Sequence, residues 1–108
     1  MPGPPLSAHR SARSAASVAL RWTTSARSDL VRLYEFLASV NPRAAALAVR
    51  HIVAGARRIP ARPRLGQRLR QFAGREVRRV LIGDYEIRYE LAGKDVFLLR
   101  IFHSREDR

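Results

Sequence analysis

The sequence predicts an α+β fold: a strand, a helical hairpin and a three-stranded antiparallel meander, forming one sheet packed on two helices. Three observations carry this reading. From Tyr85 to Leu91 the chain alternates strictly. Tyr85, Ile87, Tyr89 and Leu91 take one side, and Glu86, Arg88 and Glu90 the other. That period of two belongs to a strand with one buried and one solvated face. Further back, Ala26, Leu30, Leu33, Tyr34 and Leu37 recur at helical spacing, and so do Ala45, Ala48, Val49, Ile52, Val53 and Ala56. Each set is the apolar stripe of an amphipathic helix. Between and after the stripes come breaks of the right kind: Asn41-Pro42, Gly83-Asp84 and the Ala92–Asp95 turn.

In chain order, residues 1–16 (MPGPPLSAHRSARSAA) hold proline, serine, alanine and arginine, with no acid and almost nothing large and apolar. Such a segment buries too little surface to offset the entropy of ordering, so a disordered tail is expected there. Its composition also resembles an organellar transit peptide. Residues 17–108 are expected to form a single domain. Val18–Trp22 alternates Val18, Leu20 and Trp22 against Ala19 and Arg21, a short first strand, and Thr23, Thr24 and Ser25 supply helix-capping side chains. Proline ends the first helix and suits the first turn of the second, whose many alanines let the pair approach closely. Ile59–Gly74 is read as a loop, broken by Pro60, Pro63 and Gly66. Glu76–Ile82, Tyr85–Leu91 and Val96–Phe102 are the meander. The last is nearly continuous in apolar residues, which predicts a central strand covered on both faces.

Charge narrows the function. The 108 residues carry a formal net charge of +12, and all but one of the 21 basic residues are arginine. That field favours a polyanion or an acidic protein partner. No run reaches the roughly 20 apolar residues of a membrane-spanning helix. With no cysteine there is no disulfide, thiolate metal site or cysteine nucleophile. The histidines His9, His51 and His103 have no metal-ligand spacing, and no phosphate-binding glycine loop or Ser-His-Asp arrangement is present. Neither a metal nor a cofactor is expected, and a cytoplasmic location is. In the basic loop, Arg64, Arg68, Arg70 and Arg75 are candidates for binding phosphate or an acidic target. Arg100 and Arg105, at the end of the last strand, extend that set.

The motifs resemble those of the RelE/ParE superfamily of type II toxin–antitoxin toxins. Ala26-Arg27-Ser28-Asp29-Leu30 is similar to the opening of the family's first helix, and Asn41-Pro42 with the following alanines to its inter-helix joint. Ile59-Pro60, Pro63 and Leu65-Gly66 resemble its loop. Val77-Arg78-Arg79-Val80, Gly83-Asp84-Tyr85, Ile87 and Tyr89 resemble its central strands, and Leu98 to Arg105 its C-terminal end. The resemblance runs from Leu20 to Arg105. It implies a cognate antitoxin partner and one of two activities: inhibition of DNA gyrase, as in ParE-like members, or metal-independent cleavage of mRNA on the ribosome, as in RelE-like members. For the second, it implies His103 as acid or base and Arg78, or alternatively Arg105, as the phosphate-holding cation. Tyr85 and Tyr89 lie on the apolar side and are expected in the core.

RelE-like enzymes place lysines in and after the second helix, where this chain has arginine, a far poorer proton donor. The family's late catalytic tyrosine has no counterpart in Arg105-Glu106-Asp107-Arg108. The ParE-like activity is therefore the expectation, with the endoribonuclease as the alternative. A non-toxic basic nucleic-acid-binding module is a further one, against which stands the lack of an exposed aromatic platform on the sheet.

Overall fold

In a computed structural model of the chain, residues 19–104 are described. The predicted tail at residues 1–16, Val18 and Arg105 lie outside them. The first strand, β1 (Ala19–Trp22), runs parallel to the last, β5 (Asp95–His103), with Leu20 opposite Val96 and Trp22 opposite Leu98. Thr23 makes the transition to helix. Its hydroxyl donates to the Leu98 carbonyl at 2.6 Å and accepts the Ala26 N–H at 3.1 Å, capping α1 (Thr24–Ala38). Asn41 repeats the device, accepting the Ala44 N–H at 3.1 Å at the start of α2 (Pro42–Arg58). The alanine-rich face of α2 buries Ala45, Ile52 and Ala56. Gly55 lets this helix lie against β3, because a Cβ there would come 2.8 and 2.9 Å from Cγ1 and Cγ2 of Ile82.

A 3-10 turn, Ile59–Ala61, follows, and then a strand that the sequence did not predict: β2 (Gln67–Leu69), antiparallel to β3 (Glu76–Ile82). Three residues are too few to show alternation, and the prolines around them mask it. The meander continues through β4 (Tyr85–Ala92) to β5, its two turns made by Gly83 and Gly93 with φ of 60° and 61°. The sheet order is β1-β5-β4-β3-β2. Between β4 and β5 the register slips: Arg88 faces Arg100 and Tyr89 faces Leu98, leaving Leu99 as an inserted residue. The bulge keeps Leu98 and Ile101 both on the helix side, where they join Ala26, Ile52, Ala56, Ile87, Tyr89 and Val96 in the core.

Three local expectations are corrected. The helices cover only one face of β5; Phe97 and Phe102 are half-buried on the other, with the Arg88 and Arg100 guanidiniums 5.1 and 5.2 Å from the Phe102 ring centroid. Arginine side chains replace a second helical layer there. Glu86, expected in solvent, is fully buried, receiving Arg79 at 3.2 Å and Arg88 at 2.9 Å. Tyr34 is exposed, and Asp29 occupies the buried position on α1 instead.

Candidate functional site

The arginines of the basic loop and sheet are mostly held by carboxylates from neighbouring strands. Glu76, first residue of β3, receives Arg64 through Nε and Nη2 at 2.9 and 3.0 Å and Arg78 through Nε at 2.9 Å. The two guanidiniums, Arg64 first, hold the Glu76 carboxyl below the usual carboxylate range. Arg78 also donates to the carbonyls of Arg64 at 3.1 Å and Gly66 at 2.7 Å. Its register partner Tyr89 completes the clamp: the buried phenol accepts the Gly66 N–H at 3.1 Å and donates to Pro63 at 2.8 Å. Burial pushes the Tyr89 phenol up, so it stays neutral. Arg78 thus fastens the loop to the sheet through three of its five N–H donors.

Arg75 forms a fork with Glu90 at 2.8 and 3.0 Å, and lies 5.7 Å from the Phe72 ring centroid. Arg68 and Arg70 are exposed and form no ion pair among the described residues. Arg100 is joined to Asp29 on α1.

His103 ends β5 on the helix side. Its ring meets Tyr85 edge-on at 5.3 Å, and the two line a cleft of about 530 Å³ with Asp29, Arg32, Leu33, Phe36 and Leu37. Burial raises the Tyr85 phenol pKa, helped by the charge of Asp84. Arg78, on β3, is opposite Tyr89 and His103, on β5, is opposite Tyr85, so the two are four residues along and two strand spacings across. By strand geometry their backbones are about 16 Å apart. The two residues picked out for RNA chemistry therefore do not share one site. Both tyrosines sit on the core side, as their alternation required.

A third feature escaped the sequence reading. On α1, Val31, Tyr34 and Phe36 are exposed, as is Val40 in the turn after it, Phe36 by 71% and Val40 by 82%. Of these, Phe36 lines the His103 cleft, and Val31 lies on another face of the helix. The signal for this feature lay in the first helix having apolar residues on more than one face. Among the described residues no helix is long and apolar enough to cross a membrane.

The chain is thus a small α+β domain, a basic sheet clamped by arginine–carboxylate forks and backed by a helical hairpin with exposed apolar side chains. The sequence model of the ParE toxin of the type II toxin–antitoxin system parDE matches residues 20–108. The chain belongs to that family. Among solved structures it is similar to a chromosomal ParDE toxin–antitoxin system from P. aeruginosa, with 25% identity and a TM-score of 0.69 over 81% of this chain and 96% of that one. It is also similar to the RelBE2 toxin–antitoxin complex from Mycobacterium tuberculosis, with 28% identity and a TM-score of 0.52 over 81% and 91%. No match was found among curated protein sequences.

Proposed function

We propose that this ParE-family toxin arrests growth by inhibiting DNA gyrase in the cytoplasm, and that a cognate antitoxin neutralises it. The observation that carries the choice of target is the state of Arg78 and Tyr89. Metal-free RNA cleavage needs a base, an acid and free cations converging on one phosphate. Here Arg78 is bound to Glu76 and two carbonyls, Tyr89 to Pro63 and Gly66, and His103 lies some 16 Å from Arg78. What remains is a rigid basic surface suited to contacting a target. The matching family and the ParDE neighbour support the same reading.

The antitoxin reading rests on the exposed apolar residues of α1, Phe36 above all. An exposed aromatic at the lip of an open cleft lined by Leu33 and Leu37 is the kind of anchor that a docking amphipathic segment covers. An acidic antitoxin segment would also complement the +12 charge.

Induced expression in bacteria, with and without the adjacent small gene, tests both parts. Purified gyrase assayed for DNA supercoiling with added toxin identifies the target. Arrest with DNA damage, intact mRNA and loss of supercoiling supports the proposal. Arrest with ribosome-dependent mRNA cuts that vanish in His103→Ala would instead establish the endoribonuclease, the alternative that the placement of His103 on an open cleft keeps in view.

A further inference from the structure

Residues 36–75 contain nine arginines and no carboxylate. Two of the nine, Arg64 and Arg75, are neutralised by Glu76 and Glu90 from the sheet. The charge that remains is concentrated on α2. Arg43, Arg50 and Arg57 recur every seven residues, so they fall on one side of the helix at intervals of about 10.5 Å. All three are exposed, and none forms an ion pair among the described residues. His51 and Arg58, also exposed, lie on the same side. The patch ends at a cleft of about 630 Å³ between α2 and β3, where His51, Arg58 and Arg62 meet the apolar Leu65 and Leu81.

Arg57 and Arg58 sit in the last turn, where a cation complements the helix dipole. Arg43 stands in the first turn, where a cation opposes it, so the dipole does not explain the row. Between the arginines are Ala44 and Ala54, small enough to let a backbone approach. Leu47 is the large apolar residue of that side, 48% exposed. One leucine gives neither the buried apolar centre of a protein interface nor the insertion face of a membrane-surface helix. Exposed arginines with small side chains between them suit a phosphodiester backbone, which guanidinium binds bidentately.

We infer that the exposed side of α2, through Arg43, Arg50 and Arg57, binds the backbone of duplex DNA. This contact is independent of the gyrase reading, because it requires no gyrase. If that reading holds, the contact would place the toxin on the DNA that gyrase is handling.

The test is binding of the purified full-length toxin to a fluorescent DNA duplex of about 30 base pairs over roughly 50–300 mM salt. It compares the parent with the triple variant Arg43→Gln, Arg50→Gln, Arg57→Gln and with a charge-matched control, Arg21→Gln, Arg27→Gln, Lys94→Gln. The row variant is expected to lose at least tenfold in affinity near 100 mM salt. Its log–log salt slope should flatten by about 3, near 0.9 for each phosphate contact removed. The control should retain most of both. Each single variant should flatten the slope by about 1, which keeps the test valid if the triple variant is poorly folded. Equal losses in the row variant and the control would reduce the effect to net charge and overturn the inference. Tighter binding to an RNA duplex of the same sequence would overturn the assignment to DNA.

Discussion

Asp29 and Arg100, 71 residues apart, form a two-pronged ion pair: Nε to Oδ2 at 2.7 Å and Nη2 to Oδ1 at 3.1 Å. The same carboxylate accepts the Ile101 N–H at 2.8 Å and Arg32 Nη2 at 2.6 Å. Its place follows from the topology. β1 ends at Trp22, opposite Leu98, so the Ile101 N–H lies beyond the paired stretch of that edge. Asp29, reaching down from the second turn of α1, supplies the acceptor and ties helix to strand.

Removing this carboxylate leaves a buried N–H without an acceptor and takes an ion-pair partner from two arginines. Arg100 and Arg32 can turn to solvent, being 46% and 63% exposed, so the cost arises mainly at Ile101 and in lost helix anchoring. Asp29→Ala is expected to destabilise by about 2–3 kcal/mol, read as a shift in the urea midpoint at constant slope. Arg32→Ala, which removes an exposed partner, should cost under about 1 kcal/mol.

The same site makes stability acid-sensitive. Burial alone would raise the Asp29 carboxyl, but the bonds from Arg100, the Ile101 N–H and Arg32 outweigh it and hold the pKa below the usual range. Between that lowered value and the unfolded value of about 3.9, the unfolded chain binds the extra proton, so stability rises with pH. The contribution is complete above the unfolded pKa and is lost as pH falls through the folded one. Glu76 and Glu90 act in the same direction, their carboxyls held down by Arg64 with Arg78 and by Arg75. Denaturation midpoints should therefore be flat in this respect from neutrality to about pH 5 and fall below about 4. In Asp29→Asn that fall should be shallower.

The loop clamp has its own signature. Tyr89→Phe removes an acceptor from the buried Gly66 N–H and a donor from the Pro63 carbonyl, at an expected cost of about 1–3 kcal/mol. Gly66→Ala attacks the same contact from the other side. A Cβ there collides with the Tyr89 hydroxyl and lies 2.6 Å from the Arg79 carbonyl oxygen, which is backbone and cannot swing away. Both variants should detach the loop before the domain unfolds. Hydrogen exchange would show it as lost protection at Gly66 with β4 and β5 still protected.

How much of this was legible in the sequence depended on periodicity. The alternation from Tyr85 to Leu91 and the stripe from Ala45 to Ala56 record a face against a core, and the structure follows both. Glu86 defeated the pattern because burial there comes from two arginines on the same strand and its neighbour, a relationship that alternation does not encode. The Leu99 bulge likewise leaves no mark in a run of apolar residues. For the site, residue type was visible and pairing was not. Arg64, Arg75, Arg78 and Arg100 read as free cations in one dimension, yet each meets a carboxylate between 2 and 71 residues away.

The last prediction concerns Phe36 on α1. Phe36 is 71% exposed and Val40 82%, and burial of neither is needed for the toxin's own core. Phe36→Ser should therefore leave the melting temperature within the small range of surface substitutions, about 0.5 kcal/mol. Phe36 also borders the cleft holding Tyr85 and His103, where a docked segment would cover it. Truncating a buried aromatic anchor typically costs about 2–4 kcal/mol of binding, some 30-fold to 1,000-fold in affinity. Co-expression of the cognate antitoxin should thus rescue growth with the parent toxin and fail with Phe36→Ser, while toxicity without antitoxin is unchanged. A variant that is rescued as well as the parent would place the antitoxin elsewhere. A variant that loses toxicity would show instead that Phe36 faces the cellular target.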